Sequence, residues 1–387
     1  MRKITHWPAA LGLGLLATAT SLALTAGPAA GAATGTTAAT PVVHETLIDP
    51  GSADSTADAI NNLGDVVGTD DSGAFLADAS GVHVLAPPAG VEAILPTAIN
   101  DRGDILAQTF FGPGQTYLWQ DGHWTFIADG DAAGLNERGQ VLVQAGTAAA
   151  SFVLWQDGRS TAINAPDVTG VPSLTGGHLN QAGQVAFSSR DSEVPNPIEA
   201  WLWTAGRYTR LPALVHGASA QVEGLNDLGE VVGESGDATN PTEHVAVAWV
   251  HGAVHRLATP PATSDLNDGA AAVNDRGQVA GTNNTPDAGP EQAVLWPATS
   301  APATLLAPSY YSGARTIDNA GQVLINALVA AGITGHNEAL AARGGEVADL
   351  GAGTPIGQNE RGQVIVDTDT DPSGPIQAAL FTIDWGT

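Results

Sequence analysis

The stretch Ala272-Val-Asn-Asp-Arg-Gly-Gln-Val-Ala-Gly281 decides the reading of this chain, because it is one of eight copies of the same phrase. Each copy is a short apolar run, an Asn, two variable residues, a Gly and a second apolar run. The copies centre on Asn61/Gly64, Asn100/Gly103, Asn136/Gly139, Asn180/Gly183, Asn226/Gly229, Asn274/Gly277, Asp318/Gly321 and Asn359/Gly362. Successive glycines are 39, 36, 44, 46, 48, 44 and 41 residues apart, in the range of about 40–50 residues that marks propeller blades.

Two apolar runs joined by Asn-x-x-Gly read as a hairpin. The Asn side chain hydrogen-bonds the backbone ahead of it, and Gly accepts the positive φ that a bulged turn demands. Asp318 keeps the side-chain oxygen, so the oxygen is read as holding the turn. A metal or glycan site is the rival reading of such an Asx series, but turn formation is the ordinary use of these residues.

A third run follows each hairpin, as in Tyr117-Leu-Trp119, Val153-Leu-Trp155, Ala200-Trp-Leu-Trp203, Ala246-Val-Ala-Trp249 and Ala293-Val-Leu-Trp296. Then comes a tight turn, such as Gln120-Asp-Gly122, and a fourth strand, such as Trp124-Thr-Phe-Ile127. Four short antiparallel strands per repeat predict an all-β chain, an eight-bladed β-propeller of four-stranded antiparallel blades. The last repeat ends at Ile383-Asp-Trp385 without a fourth strand, while Val42–Ile48 is a strand without a repeat of its own. Their pairing would complete the last blade with the N-terminal strand and leave no open edge. Residues 42–385 divide into eight repeats of 43.

On these motifs the chain resembles the HAF repeat family of extracellular proteins. Ala98-Ile-Asn-Asp-Arg-Gly103 and Leu225-Asn-Asp-Leu-Gly-Glu-Val-Val-Gly233 fit that family's hairpin phrase closely. Its His-Ala-Phe tripeptide survives in altered form as Gly73-Ala-Phe75, Glu199-Ala-Trp201 and Gln292-Ala-Val294. The resemblance implies the fold and an extracellular setting, and it carries no catalytic residue across.

Met1-Arg-Lys3, an apolar Ala/Leu/Gly stretch from Pro8 to Ala26, and Ala30-Gly-Ala32 have the order of a secretory signal, cleaved after Ala32. An uncleaved membrane anchor is the alternative reading of this segment. Residues 33–41 form a Thr/Ala-rich spacer, and 42–387 the repeat domain. There is no cysteine, so disulfides, thiolate chemistry and lipidation at cysteine are excluded. After signal removal 11 arginines face 40 acidic residues, a formal charge of −29. A surface so negative repels nucleic acid and anionic headgroups, which predicts no nucleic-acid partner and, after signal cleavage, no membrane partner. The expected product is a soluble, secreted monomer.

In such a blade the Asn-x-x-Gly and Asp-Gly turns share one face, and the remaining connections share the other. The first set is short and uniform. The second varies from Thr69–Ser72 to stretches such as 234–244, 258–269 and 283–292. The variable face is the expected binding face. It also carries much of the acid, including Asp70, Asp71, Asp129, Asp131, Asp191, Glu234, Asp268 and Asp367, and is expected to be the more negative of the two. Phe110, Phe111, Tyr310 and Tyr311 fall in its loops and suit stacking on a sugar or peptide. The five repeated tryptophans are assigned to packing between blades.

Asp367-Thr-Asp369-Thr-Asp371 offers alternating carboxylates of the kind that converge on calcium, but Pro372 and Ala378 stand where a calcium loop needs Gly and Glu. No other cofactor is expected. Ser-containing elbows, zinc helices and phosphate loops are missing from the sequence. The leading expectation is a non-enzymatic binder of an extracellular glycan or protein. Its competitor is an extracellular lyase or hydrolase using loop carboxylates near the central channel.

Overall fold

The computed structural model describes residues 40–387, apart from 50, 113, 147–150, 167, 169, 193–196, 237–242, 259–267, 284–290, 308–310, 332–333, 370–373 and 387. The proposed signal segment and residues 33–39 of the spacer lie outside the described residues. Among the described residues the regular elements are strands, every sheet pairing is antiparallel, and no helix is long and apolar enough to cross a membrane.

Six sheets have four strands in simple up-and-down order. The first comprises Ser55–Ile60, Val66–Asp70, Gly73–Asp78 and Gly81–Val84, and the others begin at Ile94, Asp131, Pro172, Ala220 and Gly269. The seventh and eighth repeats share one seven-stranded sheet. They are joined by the long strand Glu346–Gln358, which pairs with Thr334–Arg343 through its first half and with Gln363–Thr368 through its second. No loop separates these two repeats, so the chain passes from one into the next through Gly351 at φ 90°. Val42–Leu47 pairs with Gln377–Asp384 in register from Val42↔Asp384 to Leu47↔Ala379, as the unpaired sequence ends predict.

The hairpin turns have the chemistry expected of Asn-x-x-Gly. In the first, the Gly64 N–H donates to the Asn61 carbonyl (3.2 Å), and Asn61 Oδ1 accepts from the N–H groups of Leu63 (3.0 Å) and Asp65 (2.9 Å). The eight glycines of the phrase have φ between 72° and 93°, where a side chain would be strained. Four of the outer turns place both central residues at positive φ: Asp121/Gly122, Asp157/Gly158, Ala205/Gly206 and His251/Gly252. This is the type I′ geometry whose twist matches flanking strands.

The core lies between repeats. Each sheet is two-sided, so it buries both faces against its neighbours. Leu142, Phe152 and Ile163 of the third repeat pack with Val185, Phe187 and Trp203 of the fourth. Six further clusters each join consecutive repeats, and a seventh joins Ala57 and Val66 of the first with Ile365 and Ala378 of the last. The repeated tryptophans serve this packing. Trp249 and Trp296 are buried and donate from Nε1 to the carbonyls of Pro212 (2.8 Å) and Ala258 (2.7 Å) of the preceding repeat.

The Asn side chains do more than hold their own turns. Each is buried, and its Nδ2 donates to the main-chain carbonyl of the equivalent Asx in the next repeat: Asn61 to Asn100 (3.1 Å), Asn100 to Asn136 (3.1 Å), Asn136 to Asn180 (3.0 Å), Asn180 to Asn226 (3.0 Å), Asn226 to Asn274 (2.9 Å) and Asn274 to Asp318 (2.8 Å). Asn359 donates to Asn61 (2.9 Å), which returns the series to its start. Holding the turn through its oxygen is therefore half of the role of each Asn. The exception is Asp318, which has no amide to give. Its Oδ2 is buried without a hydrogen-bond partner, and burial raises its pKa. Gln322 and Gln358 bridge that junction instead, Gln322 Nε2 reaching the Gly362 carbonyl (3.1 Å) and Gln358 Nε2 the Gln322 carbonyl (3.0 Å).

Asp318→Asn supplies the missing donor toward the Asn359 carbonyl and removes the unpaired oxygen. We expect it to stabilise the protein by about 1 kcal/mol, measured by denaturant unfolding at pH 7; a destabilised variant would contradict this account of the turn.

Candidate functional site

The two ends of the sheets differ in kind. At the tight-turn end, the residue after each Asx extends the inter-repeat bonding. The Asn62 N–H donates to Asp101 Oδ1 (2.7 Å), Asp101 to Glu137 Oε2 (2.9 Å), Glu137 to Gln181 Oε1 (2.8 Å) and Gln181 to Asp227 Oδ1 (2.8 Å). Asp227 then donates to Asp275 Oδ1 (2.9 Å), Asp275 to Asn319 Oδ1 (2.8 Å), Asn319 to Glu360 Oε2 (2.8 Å) and Glu360 to Asn62 Oδ1 (2.8 Å). Burial raises the carboxyl pKa of Glu137, Asp227 and Glu360, and neighbouring acids add to the effect. These polar groups serve one another.

At the opposite end the sequence candidates separate. Phe110 and Phe111 stand exposed after the strand Ile105–Thr109 and touch edge-on, with ring centroids 4.5 Å apart. Tyr311 opens the strand Tyr311–Ile317, is exposed, and faces exposed Leu328 in register. Among the described residues no ring contact joins Tyr311 to the two phenylalanines, which belong to the second repeat. Tyr310 lies outside the described residues.

Of the candidate calcium ligands, Asp371 also lies outside the described residues. Asp367 spends Oδ1 on the Ala57 N–H (2.8 Å), so it works as a link between the last repeat and the first. The Asp369 N–H donates to the Ala352 carbonyl (3.1 Å). Among the described residues no three acidic or histidine side chains form a metal-holding group. Two of the acids counted toward the negative variable face, Asp191 and Asp268, are buried, and Asp268 Oδ1 accepts from Asn283 Nδ2 (2.8 Å). Loop acids fold inward here because they take up donors that the loops would otherwise bury unpaired.

Two regularities of the inner strands were missed in the sequence. The eighth residue after each Asx is polar, and at three of these positions it reaches the inner strand of the next repeat: Gln108 Oε1 accepts from the Ala132 N–H (3.0 Å), Ser188 Oγ from the Val222 N–H (2.8 Å) and Asp367 Oδ1 from the Ala57 N–H (2.8 Å). Each inner strand also carries a bulge ending three residues before the Asx, at Asp58, Thr97, Ala133, Gly176–Gly177, Glu223, Ala271, Arg315 and Ile356. A bulge adds one residue outside the pleat and re-aims its side chain. The signal was available as a fixed offset from Asn at which the alternation breaks.

Three bulge residues are charged, and the first of them creates the most perturbed acid. Asp58 has its pKa pushed up to about 7 by burial and by the neighbouring Asp367. Its Oδ2 is buried without a hydrogen-bond partner. Asp367 is itself raised by burial to about 6. In the fifth repeat, burial and nearby Glu223 raise Glu234. In the fourth, burial lowers the pKa of His178.

No family model matches this chain, and no curated protein matches it. Among solved structures it is similar to the β-propeller domain of the trilobed protease from Pyrococcus furiosus, with 11% identity, a TM-score of 0.50, and coverage of 77% of this chain and 98% of that one. It is also similar to a structure from a study of two prolyl endopeptidases, with 12% identity, a TM-score of 0.52 and 86% of this chain covered. The chain spans 54% of the length of that endopeptidase. These likenesses identify the fold as that of β-propellers.

Both Asp58 and Asp367 have folded pKa values above the ordinary carboxylate value of 3.8. Their contribution to stability is therefore complete below about pH 4 and is lost as pH rises toward 7. Asp58→Asn should flatten that decline, by on the order of 2 kcal/mol between pH 4 and pH 8 relative to the parent. Unfolding free energies across this range check it; parallel profiles would refute the assignment.

Proposed function

We propose that the chain is a secreted, eight-bladed β-propeller, closed by the N-terminal strand, which binds an extracellular glycan or protein on its variable-loop face without catalysing a reaction. The observation that carries this reading is the contrast between the two ends of the sheets. One end is uniform and its polar groups are spent on neighbouring repeats, whereas the other varies in length from repeat to repeat and exposes Phe110, Phe111 and Tyr311. A fixed scaffold with differences confined to one side is the usual arrangement of a binding protein. Eight repeats, the pairing of Val42–Leu47 with the last repeat, and the shared core of first and last repeats support the closed ring. The signal-like N-terminus and the resemblance to HAF repeat proteins support export, and the net charge argues against nucleic acid and anionic lipid as partners.

A second reading, an extracellular lyase or hydrolase, is favoured by the raised carboxyl pair Asp58/Asp367, since a carboxylic acid titrating near 7 is suited to proton transfer at neutral pH. Both solved propellers described above come from peptidases, but at 11% and 12% identity they bear on the fold alone.

Two measurements test the proposal. Removing residues 42–48 exposes an edge on the strand Gln377–Asp384 and should lower the unfolding midpoint and promote association; a variant as stable and as monomeric as its parent would sink the closure. A screen of the mature protein against polysaccharides and secreted proteins should yield a ligand, with binding weakened by alanine at Phe110, Phe111 or Tyr311. Release of new products from a polysaccharide, abolished by Asp58→Asn, would instead establish the enzyme reading.

A further inference from the structure

The first and last repeats meet where the inner strand Ser55–Ile60 lies against the strands Gln363–Thr368 and Gln377–Asp384. Polar groups cross this junction. The Ser55 N–H donates to the Ile376 carbonyl (2.9 Å), the Ala57 N–H to Asp367 Oδ1 (2.8 Å), the Ile376 N–H to Asp54 Oδ1 (3.0 Å) and the Ala378 N–H to Ser55 Oγ (3.1 Å). The apolar core here is thin: four buried residues, Ala57, Val66, Ile365 and Ala378, without an aromatic ring. The junction between the third and fourth repeats has nine, among them Phe152, Phe187, Trp201 and Trp203. Apolar burial drives the association of neighbouring sheets, so where it is least the polar groups weigh most.

An acid pair sits among these groups. The bulge between Ala57 and Ala59 sets Asp58 outside the pleat. Burial and the charge of Asp367 push the Asp58 pKa up to about 7, and burial raises Asp367 to about 6. Asp58 Oδ2 is buried without a hydrogen-bond partner among the described residues, so on ionisation it finds no donor in place of water. No cation compensates it either. The strands packed against Ser55–Ile60, namely Val66–Asp70, Ile94–Ile99, Glu346–Gln358, Gln363–Thr368 and Gln377–Asp384, contain no Lys, Arg or His. Besides Asp367 they carry the acids Asp70, Glu346, Asp349 and Asp384, and the charge that bears on Asp58 is that of Asp367. Asp349 and Asp384 accept instead from the N–H groups of Gly351 (2.8 Å) and Gly386 (3.0 Å). Both carboxyls of the pair have folded pKa values above 3.8. Their protons therefore favour the packed junction fully below about pH 4, and that support is withdrawn as pH rises through 6 to 7.

We propose that the junction between the first and last repeats is a pH-gated clasp, shut while the Asp58/Asp367 pair keeps a proton and opening once both carboxyls are ionised. The opening is local, because every other junction has a larger buried core. It differs from a general loss of stability with pH in being confined to the one place where the two ends of the chain meet. The inference rests on the reading of the repeats as a closed ring, and it names where that ring gives way and what releases it.

The test is hydrogen–deuterium exchange of the mature protein at pH 5 and pH 8, read as protection factors so that the intrinsic pH dependence of exchange cancels. The reporters are the amides of Ser55, Ala57, Ile376 and Ala378, which bond across the junction. The controls are those of Ala132 and Val222, which make the corresponding bonds to Gln108 and Ser188 at other junctions. From pH 5 to pH 8 the reporters should lose protection by on the order of a hundredfold while the controls keep theirs. The loss should shrink to about tenfold in Asp58→Asn and vanish in Asp58→Asn/Asp367→Asn, each variant being checked for an unchanged circular dichroism spectrum. Equal protection at the two pH values, a loss undiminished by the substitutions, or an equal loss in the controls overturns the clasp and leaves the closed ring standing. Reporters already unprotected at pH 5, with the controls protected, overturn the clasp and the closed ring together.

Discussion

The buried side chain of the Asx at each hairpin turn is the constraint around which the molecule is built. An Asn amide has one acceptor and two donors, and placed out of water it costs free energy unless they are matched. Here the oxygen takes N–H groups of its own turn, while the amide nitrogen takes the carbonyl of the neighbouring turn. The same side chain thus fixes a local conformation and the position of the next repeat. Since each Asn is both supplier and recipient, a change in one turn is felt by two repeats. Asp318 is instructive because it satisfies the local half of this role and fails the other, and two glutamines take over at that junction.

Hydrophobic burial follows the same logic at larger scale. A four-stranded sheet with two apolar faces has no interior of its own, so the core exists only between sheets, and Phe152 of one repeat meets Phe187 of the next at 5.8 Å. Tryptophans add a directional element, because a buried indole N–H needs an acceptor, and those of Trp249 and Trp296 find it on the preceding repeat. Apolar area drives the association of neighbours, and the paired polar groups set their register.

This division of labour bears on where function can reside. The tight-turn end spends its polar groups on inter-repeat bonds, and the second-strand positions that reach across, such as Asp367 and Ser188, do the same. Exposed aromatics on the second and seventh repeats, Phe110, Phe111 and Tyr311, stand outside this bonding. The Asp58/Asp367 pair arises where first and last repeats meet. Two acids crowd there because the bulge re-aims Asp58 beside a carboxylate already committed to the Ala57 N–H.

Much of the architecture was legible in the chain itself. An Asx and a Gly at fixed separation, repeated at a near-constant period, dictate the hairpins because only those residues meet the turn's hydrogen-bonding and φ requirements; alternating apolar runs dictate strands; and unmatched strands at the two ends imply each other. What the sequence did not reveal depends on atoms far apart in it. The inward turn of loop acids, the second role of the Asn amide, the fusion of the last two repeats through one strand, and the meeting of Asp58 with Asp367 are set by which groups are left without water once the sheets are side by side. Period and composition are local properties, but burial and partnership belong to the assembled molecule, so only the tertiary structure decided them.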